Sequence, residues 1–263
     1  MTNLFRRSFR SSALVGLGLL LNPAQASNIA VIRTTQEVVI AADSAGVIQG
    51  DGLAATKESV CKIYRIDDAL FFAVSGLVND PRSGYRVPVL VDANSRGRGT
   101  ISEKLENVER VVSPALLREA GEVKSRDPEG YGRLVDSKGA LSVIMIGIEN
   151  GIPSATSFSI GLTRTSDGTI QTTVVHDSCP GNCPSGVRAF SIGASPAIDA
   201  VRRRGGLPSL SMADLADYMV QAEIDAGTVG VAGPVDVLRL TTTGPIWVRQ
   251  KASCPASIAT DSH

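Results

Sequence analysis

From residue 28 onward the hydrophobic pattern is one of short apolar runs broken by turns, with a few amphipathic stretches between them. Asn28 to Thr34 and Glu37 to Ser44 read as strands joined at Thr35-Gln36. The centre of the second, Val38-Val39-Ile40-Ala41-Ala42, is continuously apolar, which marks a strand buried on both faces. A glycine-rich loop around Gly46, Gly50 and Gly52 leads to a second hairpin, Lys62 to Ile66 and Ala69 to Val74, turned at Asp67-Asp68. Residues 78–99 carry Pro81, Gly84, Pro88 and Arg96-Gly97-Arg98-Gly99 and read mainly as loop, with Val87 to Val91 as a short extra element.

The periodicity then changes. Ile101, Leu105, Val108, Val112 and Leu116 fall on one face of a helix, and Thr100 with Glu103 forms a capping box before it; Pro114 is a kink point. A polar loop, Asp127-Pro128-Glu129-Gly130, precedes four strand candidates: Ala140 to Ile148, Ser154 to Leu162, Thr169 to His176 and Ala189 to Ile192. Helices follow at Pro196 to Arg204 and Met212 to Ala226, the latter capped by Ser211 with Asp214 in its first turn. Val235 to Thr242 and Ile246 to Lys251 close the chain as a hairpin around Gly244. Runs of strands alternating with runs of helices predict an α+β fold: two antiparallel sheets stacked face to face, with helices on both outer sides, in one domain over 27–263.

The first 26 residues do not belong to that pattern. Arg6, Arg7 and Arg10 precede a short apolar run, Ala13 to Leu21, and Ala24 and Ala26 satisfy the cleavage rule of a secretion signal. The run is too short to span a bilayer. Arg6-Arg7-Ser8-Phe9 resembles a twin-arginine signal, which leaves folded and unfolded export both open. The chain's 26 basic and 26 acidic residues balance, and losing the leader's arginines leaves an acidic excess of three. A nucleic-acid partner is not expected from that charge, nor a membrane after processing. The expected location is periplasmic or secreted.

Export changes the reading of the four cysteines. Cys179 and Cys183 bracket Pro180-Gly181-Asn182 between two strands, where a local disulfide would staple the turn. Zinc beside His176 is the alternative, but His176 and His263 are the only histidines and a fourth ligand has to come from elsewhere. Cys61 and Cys254 either pair or stay free.

Cleavage after Ala26 would leave Ser27 with a hydroxyl and a free α-amine, the minimum equipment of an N-terminal nucleophile hydrolase. Asp43 follows Ser27 by sixteen residues, and Gly76 follows Lys62 by fourteen. In these spacings residues 27–80 resemble the N-terminal half of a proteasome β-type subunit, including the bacterial two-component protease peptidase of that superfamily. The resemblance implies a proteasome-subunit-like four-layer αββα sandwich, and it implies roles. Ser27 stands where the family has its N-terminal threonine, Asp43 and Lys62 stand at its supporting acid and lysine, and Gly76 stands at its oxyanion glycine.

Further along, Ile192-Gly193-Ala194-Ser195 resembles the family's "GSG" turn, which would bring Ser195 into the network around the terminal amine. Ser195 also precedes Pro196, and the helix N-cap is the preferred reading of it. Val229 and Ala232 occupy the aspartate and serine positions of the eukaryotic and archaeal "DxxSGG" segment, so that polar support is missing. The bacterial branch is the closer likeness.

The chemistry follows from residue types. A charged Lys62 would lower the pKa of the Ser27 hydroxyl and amine, Asp43 would hold the lysine, and the Gly76 N–H would meet the oxyanion. Alternation along the third strand would turn Cys61 away from Lys62 and out of the site. The expected substrate is a peptide or small acyl amide, with no cofactor and no metal; homo-oligomerisation stays open. A catalytically inactive binding or assembly module is the alternative. Two histidines, one of them C-terminal, disfavour a serine–histidine–aspartate hydrolase, and no phosphate-binding glycine loop joins a strand to a helix.

Overall fold

The computed structural model describes residues 27–48, 56–135, 139–183 and 187–254. The leader, Gly50, Gly52 and His263 lie outside the described residues. Two hairpin strands open the fold, β1 (Asn28–Arg33) and β2 (Glu37–Ala42), followed by a small ribbon of β3 (Ala45–Ile48) and β4 (Thr56–Ser59). Next come β5 (Ile63–Arg65), β6 (Leu70–Gly76) and the two-residue pair β7 (Asn79–Asp80) and β8 (Tyr85–Arg86). Three helices follow: α1 (Val87–Ser95), α2 (Ile101–Arg126) and α3 (Pro128–Leu134). The second half contains β9 (Leu141–Glu149), β10 (Ile152–Arg164), β11 (Ile170–Cys179), β12 (Arg188–Gly193), α4 (Pro196–Arg204), α5 (Met212–Asp225), β13 (Asp236–Thr241) and β14 (Gly244–Arg249).

The strands form two five-stranded antiparallel sheets, ordered β12-β1-β2-β13-β14 and β11-β10-β9-β6-β5. Side-chain alternation sorts their residues into three cores. Ile29, Val31, Val38 and Ile40 from the first sheet meet Phe71, Ala73, Ile144 and Ile146 from the second. On the outer face of the first sheet, Ala30, Ile32, Val39 and Ala41 pack against Ile198 of α4 and Leu215, Met219 and Val220 of α5. On the outer face of the second, Phe72, Val74, Val143 and Met145 pack against α1, α2 and α3. The layers therefore run helix, sheet, sheet, helix. The unbroken apolar run of β2 follows from this: one set of its side chains faces the other sheet and the alternate set faces α5. Full burial of each such Val or Ile contributes about 1.5–3 kcal/mol.

The local signals at helix ends act as read. Thr100 and Glu103 form the reciprocal capping box, Pro114 is accommodated within α2, and the Ser211 hydroxyl accepts from the Asp214 N–H. Several segments differ from the sequence reading, the two-residue pair of β7 and β8 within the expected loop among them. Val87–Ser95 is a helix, because Pro88 sits in its first turn, where a missing N–H costs nothing, and Val87 and Val91 are buried. The expected loop at 127–130 is the start of α3, with the Asp127 carboxylate accepting from the Gly130 N–H and Pro128 in the first turn. The glycine-rich loop carries β3 and β4, two short strands that pair with each other.

Both cysteine pairs are disulfides, Cys61–Cys254 and Cys179–Cys183. That usage fits an oxidising compartment. His176 is engaged by Glu109 of α2, at 2.5 Å. Among the described residues no helix is long and apolar enough to cross a membrane.

Candidate active site

The antiparallel register of β1 and β2 pairs Ile29 with Ala42, so the residues beyond each strand, Ser27 and Asp43, emerge at one end of the first sheet. Lys62 immediately precedes β5 of the other sheet, whose Ile63 pairs with Ala73. Stacking of the sheets brings these ends together. Lys62 Nζ lies 2.7 Å from Ser27 Oγ and 2.6 Å from Asp43 Oδ1. Ser27, Asp43 and Lys62 are 4%, 0% and 5% exposed, a burial that ionisable groups tolerate only when paired.

Asp43 is held from several directions. Its Oδ1 accepts from the Asn28 N–H (2.8 Å) as well as from Lys62, while Oδ2 accepts from the N–H groups of Ala45 (2.9 Å) and Ala232 (3.3 Å). Segment 229–232, which lacks the polar side chains of the resembled family, thus supports Asp43 through its backbone. The Ala232 carbonyl also accepts from the Ser44 N–H at 2.8 Å.

Burial lowers the Lys62 pKa below its ordinary value, opposed by the adjacent Asp43 carboxylate and reinforced by a second ammonium, that of Lys251. The cation is therefore costly to keep and sensitive to nearby charge.

Gly76 ends β6 with φ +104°, and a Cβ there would sit 2.3 Å from the Ala140 carbonyl oxygen. Only glycine fits that approach. It lines a pocket of about 340 Å³ together with Ser27, Lys62, Tyr64, Leu77 and Val78. A larger hollow of about 600 Å³ along α2, with Arg118 and Glu122 in its wall, contains none of the three buried residues.

Two site assignments need correction. Ser195 is the N-cap residue of α4, but its hydroxyl reaches Asp199 Oδ2 (3.3 Å) and caps no backbone N–H, and it does not join the Ser27 cluster. The chain turns at Gly193 (φ +84°), so Ala194 takes that place: its N–H donates to the Ser27 carbonyl (2.8 Å), and its carbonyl accepts from Asn28 Nδ2 (2.6 Å). Cys61 is not turned out of the site, because β5 begins only at Ile63 and strand alternation does not govern residues 61 and 62; Cys61 lines the same pocket.

No family model and no curated protein matches this chain.

The sequence reading missed a second buried polar group beside the first. Lys251 Nζ pairs with Asp236 Oδ2 (3.1 Å) and donates to Ser44 Oγ and the Val60 carbonyl, each at 2.5 Å. Neither residue had a signal, since Lys251 reads as an ordinary strand-end lysine and Asp236 as a polar position within the strand Val235 to Thr242. The buried Ser75 hydroxyl faces Gly193.

Chemically, the arrangement holds a buried hydroxyl against an ammonium, with a carboxylate behind and a pocket in front. An ammonium donating to Ser27 Oγ favours its alkoxide form, so the hydroxyl is set up to act as a nucleophile once a base takes its proton.

Proposed function

We propose that this protein is an exported N-terminal serine nucleophile hydrolase that cleaves amide bonds of peptides or acyl amides, with a proteasome-subunit-like fold. The observation that carries the reading is the contact of Lys62 Nζ with both Ser27 Oγ and Asp43 Oδ1 at the base of a pocket. The nucleophile is also the residue that follows a signal cleavage site. The layered arrangement of two sheets and outer helices supports the same reading.

In the processed protein the Ser27 α-amine, with an ordinary pKa of roughly 7.7, accepts the hydroxyl proton as Oγ attacks the substrate carbonyl carbon. In its ammonium form Lys62 stabilises the developing charge on Oγ, and Asp43 holds Lys62 in place. The carbonyl oxygen becomes an oxyanion, with the Gly76 N–H as its donor. Collapse breaks the C–N bond, the leaving amine takes the proton from the α-ammonium, and an ester to Ser27 Oγ remains. Water, deprotonated by the same amine, then releases the acid and restores the hydroxyl.

Intact mass of the exported protein, followed by reaction with a β-lactone probe and peptide mapping, tests this reading. A chain beginning at Ser27 and acylated there is expected. A different N-terminus, or a correctly processed protein inert to a panel of acyl amides and probes, would favour the binding-module alternative.

A further inference from the structure

The buried pair Lys251–Asp236 is not used by the mechanism above, yet it lies directly behind it. Its geometry ties together three parts of the chain. Asp236, at the start of β13, accepts from the Lys251 N–H (2.8 Å) through Oδ1 and from the ammonium through Oδ2. The ammonium then bridges Ser44, the neighbour of Asp43, to the carbonyl of Val60, two residues before Lys62. Ser44 and Val60 are also joined directly, Val60 N–H to Ser44 carbonyl at 2.8 Å, and the Ser44 hydroxyl donates to the Pro234 carbonyl. Three residues after Lys251, Cys254 is bonded to Cys61, the residue adjoining Lys62. The Lys251 and Asp236 side chains are 7% and 3% exposed.

We propose that Lys251 is a positioning residue for the Ser27–Lys62 site: held by Asp236 and by the Cys61–Cys254 disulfide, its ammonium clamps the two segments that carry Asp43 and Lys62. The inference rests on the hydrolase reading for its consequence in turnover, but the clamp itself is a physical coupling that exists with or without substrate. A buried ion pair is often matched in stability by apolar residues of the same volume, so stability alone gives little reason for placing one here. A second cation near Lys62 has an electrostatic consequence that an apolar clamp would lack. The charged groups facing Lys62 are Asp43 from the β2–β3 turn, which favours its ammonium, and Lys251 from the C-terminal segment, which disfavours it. Ser27 contributes its hydroxyl.

The coupling is measured without relying on activity. Trace acetylation of the processed protein by acetic anhydride across a pH series, read by peptide mass spectrometry, gives the pH midpoint at which Lys62 becomes reactive. Lys251→Met is expected to move that midpoint upward by about one pH unit, the scale of a like charge roughly 12 Å away at an effective dielectric constant of about 20. Lys251→Met/Asp236→Asn avoids stranding a buried carboxylate and is expected to shift the same way by less, because the opposing charge of Asp236 leaves with the cation, while Lys251→Arg keeps the parent midpoint. Turnover in the Met variants should fall on the order of ten-fold in kcat with KM little changed, and the alkaline limb of the kcat profile should follow the Lys62 midpoint. An unchanged Lys62 midpoint in folded Lys251→Met, or a downward shift in the double variant, overturns the proposal. A shifted midpoint in a protein whose Ser27 accepts no acyl probe supports the coupling while removing the hydrolase reading.

Discussion

Gly193 lies so close to Ser27 that a Cβ on it would sit 2.1 Å from the Ser27 carbonyl oxygen. Its φ of +84° is a second reason for glycine there. Gly193→Ala should therefore push Ser27 off Lys62 rather than merely strain a turn. A misplacement of about 1 Å at a reacting group can cost about 10²-fold in rate, so acylation of Ser27 should fall by that order while the protein remains folded. Probe-labelling rates and far-UV circular dichroism, measured side by side, check it.

Substitutions in the cluster should be graded. Ser27→Ala should abolish acyl transfer, and Lys62→Ala should lower it by about 10² to 10⁴, the usual cost of losing a positioned group in proton and charge handling. Asp43→Asn keeps a hydrogen-bonding oxygen for the Asn28 N–H and Lys62 and should cost less than Lys62→Ala. Single-turnover acylation of the three variants gives the ranking, and equal loss in Asp43→Asn and Lys62→Ala would contradict a holding role for Asp43.

The Cys61–Cys254 disulfide closes a separation of 193 residues. Cross-links over long loops remove the most entropy from the unfolded chain, so Cys61→Ser/Cys254→Ser should lose on the order of 2–5 kcal/mol of stability. The Cys179–Cys183 link spans a separation of 4 and should contribute less. Urea unfolding of each double variant, compared with the parent, measures both.

Acid should weaken the contact between α2 and the β7–β8 turn. Burial raises the Asp80 carboxyl pKa, but hydrogen bonds from Arg126 and Arg82 outweigh that and hold it at about 2. Arg126 Nη2 is 2.8 Å from Asp80 Oδ2 and 3.0 Å from Glu119 Oε1. A carboxylate with a depressed folded-state pKa contributes stability that is fully present above its unfolded value near 3.8 and is lost as pH falls toward 2. Asp80→Asn should thus lower stability at pH 7 and flatten its decline between about pH 4 and 2, as followed by thermal melts across that range.

Residues whose role depends on their immediate neighbours were legible in one dimension. Thr100 with Glu103, Ser211 with Asp214, and the doubly apolar run of β2 each follow from contacts within a turn or from simple alternation. The spacings that tie Asp43 to Ser27 and Gly76 to Lys62 were equally readable, because each spans one hairpin whose register is set by its own turn. Helices α1 and α3 were obscured by their prolines, which read as loop signals until burial of Val87, Val91, Tyr131 and Leu134 is known.

The sequence by itself determined the order of the main strands and helices and the local registers carrying Ser27, Asp43 and Lys62. Tertiary structure decided which sheet ends meet, that Ala194 rather than Ser195 takes the Ser27 carbonyl, that Cys61 pairs with Cys254, and that Lys251 and Asp236 lie buried behind Lys62. The division has one physical cause. Hydrogen-bond registers and caps act over a few residues, whereas the cluster is made where two sheets, each satisfied within itself, stack through non-directional apolar contact, and that stacking leaves no periodic mark on the polar residues at its rim.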